Sequence, residues 1–257
     1  MNNPIGLFDS GVGGTSIWKE IHTLLPNEDV IYLADSKNAP YGQKTKEEII
    51  ELSFKNTEFL LNRNAKLIVV ACNTATTNAI NELRQKYDVP FIGIEPAIKP
   101  AALHSASGKV GVLATQRTIN SELFAKTRAN FPKITFVEQV GFGLVQLIEE
   151  GKMESEEMSE LLQKYLTPMI EAQVDYLVLG CTHYPYLKPQ IKKILPPTIQ
   201  IIDSGRAVAQ QTQKILEQNN LLNLFDKKGK AFFYTNSDKT VLQNLVGKEF
   251  EVECIDF

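Results

Sequence analysis

Short runs of branched and aromatic apolar residues recur along the chain, with longer stretches between them in which apolar positions fall at helical spacing. The runs are IGLF, VIYLA, LIVVA, FIGI, VGVLA, ITFVEQV, YLVLG, IQIID, AFFYT and EVECIDF. Runs this short and this apolar predict buried strands. The stretches between them predict helices over residues 15–25, 45–63, 74–87, 119–131, 153–172, 184–195, 206–218 and 239–245. Thr45-Lys46-Glu47-Glu48 has the form of a capping box, and Pro26, Pro90, Pro132 and Pro196-Pro197 mark exits from helix into strand. Strand and helix alternate almost throughout, so the expected fold class is α/β, with mostly parallel sheets flanked by helices on both faces.

Ten such strands suit one wide sheet, a barrel or two sheets, and a weak internal echo favours two. An apolar strand ending in cysteine occurs twice, in KLIVVACNTATT (66–77) and YLVLGCTHYP (176–185), and Asp-Ser-Gly occurs at residues 9–11 and 203–205. Two pseudo-symmetric domains would each place a cysteine at the carboxyl end of a strand, the end where open α/β sheets bind ligands. The active site is then expected in the interdomain cleft, with one thiol on each wall.

Composition narrows the classes of function. The 257 residues are 43% hydrophobic and 22% charged, with a net charge of −3. No concentrated basic surface is legible, which argues against nucleic acid as a partner. No run approaches the ~20 apolar residues of a membrane span, and MNNPIGLFDSGVGG does not read as a leader, so a soluble cytoplasmic protein is expected. Cys72, Cys181 and Cys254 are too few for a disulfide framework, and no spacing suggests a metal site; the metal expectation is none.

Cys72 and Cys181 each precede a polar pair, Asn73-Thr74 and Thr182-His183, where a helix should start. A thiol at a helix N-terminus is favoured as thiolate. The plain alternative is a small buried hydrophobe, and Cys254, in the terminal strand, is read that way. His183 suits a base, a partner for Cys181, a donor to a substrate carboxylate, or a satisfied structural histidine; His22 and His104 fall in helical patterns. The loop Asp9-Ser10-Gly11-Val12-Gly13-Gly14 permits a tight turn and close approach of N–H groups to an anion. It lacks both the P-loop Gly-Lys pair and the last glycine of GxGxxG. It therefore presents Asp9 and Ser10 to a small polar ligand or is a plain turn. The loop DSKNAPYG after the second strand is long enough to line a site.

Together FDSGVGG, PYG at residues 40–42, ACNTAT around Cys72, IEPAIKPA from Ile94, GCTHYP around Cys181 and IDSG at residues 202–205 resemble the glutamate racemases of the cofactor-independent aspartate/glutamate racemase superfamily. The resemblance runs in order over nearly the whole chain. One departure is Ala34, where the family usually has glycine. The resemblance implies a first α/β domain of residues 1–95 plus 206–257 and a second, inserted domain of residues 96–205. It implies interconversion of L- and D-glutamate by two-thiol proton transfer at Cα, with no cofactor, to supply D-glutamate for peptidoglycan. By the same resemblance Cys72 faces the α-proton of the D-isomer and Cys181 that of the L-isomer, assisted by Asp9, His183 and Glu149, with Glu150 the alternative to Glu149. The implied substrate contacts are Asp9, Ser10, Tyr41, Gly42, Asn73, Thr74, Thr115, Thr118, Thr182 and His183. The family commonly forms homodimers, and the chain reads as lacking the N-terminal extension that in some relatives accompanies activation by a cell-wall precursor.

Three other readings stand beside this one. A related racemase would act on aspartate. A cysteine hydrolase would use Cys181 and His183 as nucleophile and base and leave Cys72 unexplained. A noncatalytic binding protein would tolerate loss of either thiol.

Overall fold

The computed structural model describes residues 3–224 and 227–257; Met1 and Asn2, which head the N-terminal stretch discussed above, lie outside the described residues. The chain runs β1 (Ile5–Asp9), α1 (Thr15–Leu24), β2 (Val30–Ala34), α2 (Lys46–Leu61), β3 (Leu67–Val70), α3 (Asn73–Lys86) and β4 (Phe91–Gly93). It continues through α4 (Ile98–His104), β5 (Lys109–Ala114), α5 (Gln116–Ile119), α6 (Glu122–Ala129), β6 (Thr135–Val140), α7 (Leu144–Glu149), α8 (Glu156–Glu171) and β7 (Tyr176–Gly180). It closes with α9 (Lys188–Ile194), β8 (Gln200–Ile202), α10 (Gly205–Gln218), β9 (Ala231–Thr235), α11 (Thr240–Val246) and β10 (Val252–Cys254).

Among the described residues the strands form a six-stranded sheet, ordered β10-β9-β2-β1-β3-β4, and a four-stranded sheet, ordered β6-β5-β7-β8. Every pairing is parallel. The strands of the larger sheet come from both ends of the chain and those of the smaller from its middle. β1, β2 and β3 are buried along their whole length, as expected where helices cover both faces. Each fully buried Leu, Ile or Phe of these strands contributes on the order of 1.5–3 kcal/mol.

Register decides what emerges where. Asp9 pairs with Ala34 and Phe8 with Val70, so β1, β2 and β3 end level and release Ser10, Asp35 and Cys72 on one edge. Ala114 pairs with both Val140 and Gly180, so β5, β6 and β7 release Thr115, Gly141 and Cys181 together. The chain passes between the sheets twice, and these crossings meet where the Ser204 hydroxyl donates to the Glu95 carbonyl. Asp203 accepts the Gly205 N–H at 2.8 Å and pairs with Lys188. The second Asp-Ser-Gly is thus a crossing, not a second copy of the loop after β1.

Thr45 caps α2 with the expected reciprocal bonds to Glu48. Three helical details differ from expectation. The predicted helix over residues 119–131 is shorter, α6 alone, because Ser121 caps it by accepting the Phe124 N–H, and the short α5 ends at Ile119 ahead of it. That over 184–195 is a 3₁₀ turn, Tyr184–Leu187, followed by α9. Helices α4, α5 and α7 were not expected. Pro100 sits in the first turn of α4, where no N–H is needed, and α7 is six residues long behind a left-handed Gly143. Cys254 is exposed rather than core, because β10 is the edge strand and only Val252 faces inward. His22 stacks on Trp18, whose ring meets Phe233 and Phe250 edge-on, and His104 ends α4.

Candidate active site

The level strand ends bring the two sheets' loops together. Cys72 stands at the N-cap of α3, 4% exposed, and its Sγ accepts the Ala75 N–H at 3.4 Å while lying 3.7 Å from Ser10 Oγ. The helix terminus favours thiolate, as expected, yet it does not prevail. Burial and the neighbouring Asp9 charge push the Cys72 thiol well above its usual range, over the opposing bonds from Ala75 and Ser10. Cys72 is therefore a buried acid in the resting protein.

Cys181 has a different setting. It follows β7 but precedes a 3₁₀ turn, so no α-helix dipole begins at it. Its partner is His183, whose Nδ1 lies 3.8 Å from Cys181 Sγ. His183 Nε2 lies 2.5 Å from Glu149 Oε1. Burial alone would lower the imidazole, but the bonds to Cys181 and Glu149 outweigh it and hold His183 well above its usual range. Nδ1 faces the sulfur, while Nε2 faces the Glu149 carboxylate and lies 3.3 Å from the Gly13 N.

The glycine loop after β1 explains itself at this point. Glu149 Oε1 accepts the Val12 N–H at 2.6 Å, and a Cβ on Gly11 would stand 2.0 Å from that oxygen. A Cβ on Gly13 would stand 2.2 Å from His183 Nδ1. The anion that approaches this loop is the protein's own carboxylate. Glu149 Oε2 accepts from Ser36 Oγ at 2.7 Å, whereas Glu150 is exposed and paired with Lys152. Glu149 is the one that reaches the cleft.

Asp9 is fully buried at the end of β1, accepting the Gly14 N–H at 2.6 Å and facing Thr182 Oγ1 at 3.3 Å and Ser10 Oγ at 3.4 Å. Burial raises its carboxyl from 3.8 to about 6, with His183 opposing. Thr74, Thr115 and Thr118 form a hydroxyl triangle of 2.9, 2.9 and 3.5 Å sides. Asn73 is buried and its Nδ2 has no partner among the described residues. Gly42 lies against Thr115, since a Cβ there would stand 3.1 Å from Thr115 Cβ. Tyr41 is buried, and its hydroxyl is committed to Asp35 and Asn56 rather than to the cleft. At the mouth, a cavity of ≈ 40 Å³ is lined by Pro40, Gly42 and Gln43 from one side and by Thr115, Gln116 and Phe142 from the other.

Most of the residues expected from sequence thus lie near the two strand edges, while the Tyr41 hydroxyl turns to Asp35 and Asn56 and Glu150 to Lys152. Sequence reasoning missed Ser36, Asp35 and Asn236. Asp35 accepts from Asn38 at 2.8 Å and Asn236 at 2.5 Å, fixing the loop that carries Ser36. Only the length of DSKNAPYG pointed there; Asn236, 201 residues away from Asp35, left no local signal. Among the described residues no group of three His, Cys, Asp or Glu side chains is arranged to hold a metal, and no helix is long and apolar enough to cross a membrane. What the arrangement offers is two buried thiols on opposite edges, each with its own proton partner, and neutral donors between them.

The family model described as Asp/Glu/Hydantoin racemase matches residues 5–212. A glutamate racemase of Herpetosiphon aurantiacus is 45% identical over 238 residues, covering 92% of this chain and 94% of that one. A glutamate racemase isoform of Bacillus anthracis superposes with a TM-score of 0.87 at 31% identity, over 99% of this chain and 97% of that one. The glutamate racemase of Francisella tularensis, solved in complex with D-glutamate, gives a TM-score of 0.86 at 31% identity, over 99% and 98%.

Proposed function

The chain belongs to the Asp/Glu/hydantoin racemase family, and from that membership we propose that it interconverts L- and D-glutamate by proton transfer between Cα and two thiols, Cys72 and Cys181. It is an isomerase of the cofactor-independent kind. The observation that carries the two-thiol route is the asymmetry of the thiol settings: Cys72 is held as an acid beside Asp9, and Cys181 faces a cationic His183.

Cys181, as thiolate beside His183, takes the α-proton of L-glutamate. Cys72 delivers its own proton to the opposite face, giving D-glutamate. One proton leaves carbon and one arrives, so no electron acceptor enters the balance. Afterwards Cys181 is thiol and Cys72 thiolate, the form that takes the D-isomer's proton. Asp9, with a carboxyl near 6, and the His183–Glu149 pair exchange protons with the two sulfurs and reset them.

The carbanion and both carboxylates of the substrate need donors. Ser10, Asn73, Thr74, Thr115, Thr118 and Thr182 supply hydroxyl and amide groups at the cleft, and the start of α3 adds N–H donors. Tyr41 and Gly42 shape the wall rather than offering a side-chain donor.

Residues 1–95 with 206–257 form one domain and 96–205 the inserted other, a division supported by the origin of each sheet's strands and by the Ser204–Glu95 bond where the crossings meet. The enzyme works in the cytoplasm as a homodimer and feeds D-glutamate to peptidoglycan synthesis.

The test is incubation with L-glutamate in deuterated water, following optical rotation and α-deuterium together for wild type, Cys72→Ser and Cys181→Ser. Rotation falling to zero with deuterium uptake in wild type, and severe loss of racemisation in both variants, is the expected result. Full activity in either variant would overturn the two-thiol route, and glutamate left unchanged by wild type would overturn the substrate.

A further inference from the structure

The two oxygens of Glu149 are held by different parts of the molecule. Oε1 takes the Val12 N–H at 2.6 Å and faces His183 Nε2 at 2.5 Å; Oε2 takes the Ser36 hydroxyl at 2.7 Å. Glu149 ends α7, a helix between strands of the four-stranded sheet, whereas Ser36 follows β2 of the six-stranded sheet. A carboxylate with one fixed oxygen can still swing about its last torsion, but one with both oxygens held cannot. Ser36 itself stands on a rigid base. Asp35, 1% exposed, takes hydrogen bonds from Asn38, Asn236 and Tyr41, and its own N–H donates to the Asp9 carbonyl at 3.0 Å. The Lys37 N–H donates to Asn236 Oδ1 at 2.9 Å, which pins the residue after Ser36 as well.

We propose that Ser36 is a positioning residue for the Cys181 half of the reaction, aiming the Glu149 carboxylate at His183 so that the imidazole's other nitrogen faces the Cys181 sulfur. This rests on the racemase reading above. It assigns no contact between Ser36 and substrate; its effect passes through Glu149 and His183. Cys72 touches Ser10 and Ala75 and neighbours Asp9; it makes no contact with Ser36, Glu149 or His183 among the described residues, and the charges of Glu149 and His183 reach it only through Asp9. The consequence is lopsided: losing the Ser36 hydroxyl raises the barrier for proton transfer at Cys181 more than that at Cys72.

The imbalance is measurable. The two enantiomers are equal in free energy, so kcat/KM must fall equally in both directions. Kinetic isotope effects need not. In Ser36→Ala, the α-deuterium effect should rise with L-glutamate, whose proton goes to Cys181, and fall with D-glutamate, whose proton goes to Cys72. The rate should drop about tenfold with KM little changed, the scale of one hydrogen bond to a charged group. Ser36→Thr, which keeps a hydroxyl, should restore both. A variant that is merely less well folded would lower activity without moving the two isotope effects apart.

The second readout is the titration of His183 followed by NMR, in wild type and Ser36→Ala. The groups facing this ring are Cys181, Glu149 and Asp9. With Glu149 held at one oxygen only, by the Val12 N–H, its carboxylate swings from His183, which should release its proton at lower pH. Isotope effects that stay matched in Ser36→Ala would overturn the proposal, as would an unmoved His183 titration. If wild type failed to racemise glutamate, the racemase reading would fall, and the His183 titration would decide on Ser36 by itself.

Discussion

Thr74 Oγ1 and Thr115 Oγ1 stand 2.9 Å apart although one belongs to α3 on the larger sheet and the other follows β5 of the smaller. Thr118 Oγ1 completes the triangle at 2.9 Å from Thr115, so three hydroxyls bridge the cleft with only one another as side-chain partners among the described residues. An anionic group entering there would replace neutral hydroxyl pairing with charge-assisted bonds. Thr115→Val keeps the shape and removes the hydroxyl. Its KM should rise about tenfold for both enantiomers, with kcat changed less, since a bond to a charged group is worth on the order of 1.5–3 kcal/mol. Initial rates in both directions check it; an unchanged KM would remove Thr115 from the substrate site.

Asp9 should leave a mark on stability. Its carboxyl titrates near 6 in the folded protein against an ordinary 3.8, because burial disfavours the charge. A carboxyl raised on folding favours the native state below the unfolded value and loses that contribution as pH climbs through the folded one. The loss between pH 4 and 6 is about 3 kcal/mol for a shift of this size. Asp9→Asn, which can still accept the Gly14 N–H, abolishes that dependence. Urea unfolding at pH 4 should find the variant and wild type alike, and at pH 8 should find the variant more stable, while racemisation is severely reduced. A variant less stable than wild type at pH 8 would contradict the assignment.

Much of this was legible in the sequence because parallel sheets covered on both faces write continuous apolar runs, and all ten expected runs coincide with strands. The thiol pair was legible too, since the ends of apolar runs are where side chains enter the cleft. What failed was local. The Ser121 break between α5 and α6 looks like helix interior at the level of apolar spacing. The contrast between Cys72 and Cys181 was hidden because both precede a polar pair, yet Cys72 caps a true helix whereas Cys181 caps nothing and lies two residues before a 3₁₀ turn that starts after His183. Asp35 with Asn236, and Glu149 with Val12 and Ser36, are contacts at 113 or more positions' separation, which no window of sequence can show.

Gly13 supplies a sharper test of the site's geometry than removal of a catalytic group. A methyl at this position would stand 2.2 Å from His183 Nδ1 and 2.5 Å from its Cγ. The ring cannot retreat freely, because it is 1% exposed and held by Glu149. Gly13→Ala should therefore displace the imidazole from Cys181 and cost about a hundredfold in kcat, the scale of an ångström's misplacement. Far-ultraviolet circular dichroism and melting temperature should stay near wild type. Retained activity would mean that the His183–Cys181 contact is not needed for turnover.

The opposite end of the sheet makes the complementary prediction. Lys66 Nζ lies 2.6 Å from Glu28 Oε2, with the two side chains only 7% and 2% exposed, and it also donates to the Leu221 carbonyl at 2.7 Å. Glu28 Oε1 takes the Asn223 N–H at 2.7 Å. The pair thus ties the segment after α10 to the entrances of β2 and β3. Lys66→Met leaves a buried carboxylate without its cation and should destabilise the protein by about 3–5 kcal/mol. Replacing both, as Lys66→Met with Glu28→Gln, removes the stranded charge and should recover a large part of that loss, with a coupling energy readable from the four-variant cycle. Because the pair sits at the amino ends of the strands and the thiols at the carboxyl ends, roughly 15 Å of strand away, kcat and KM of the folded fraction should match wild type. A loss of kcat at a temperature where the variant is fully folded would show that this tie reaches the catalytic edge.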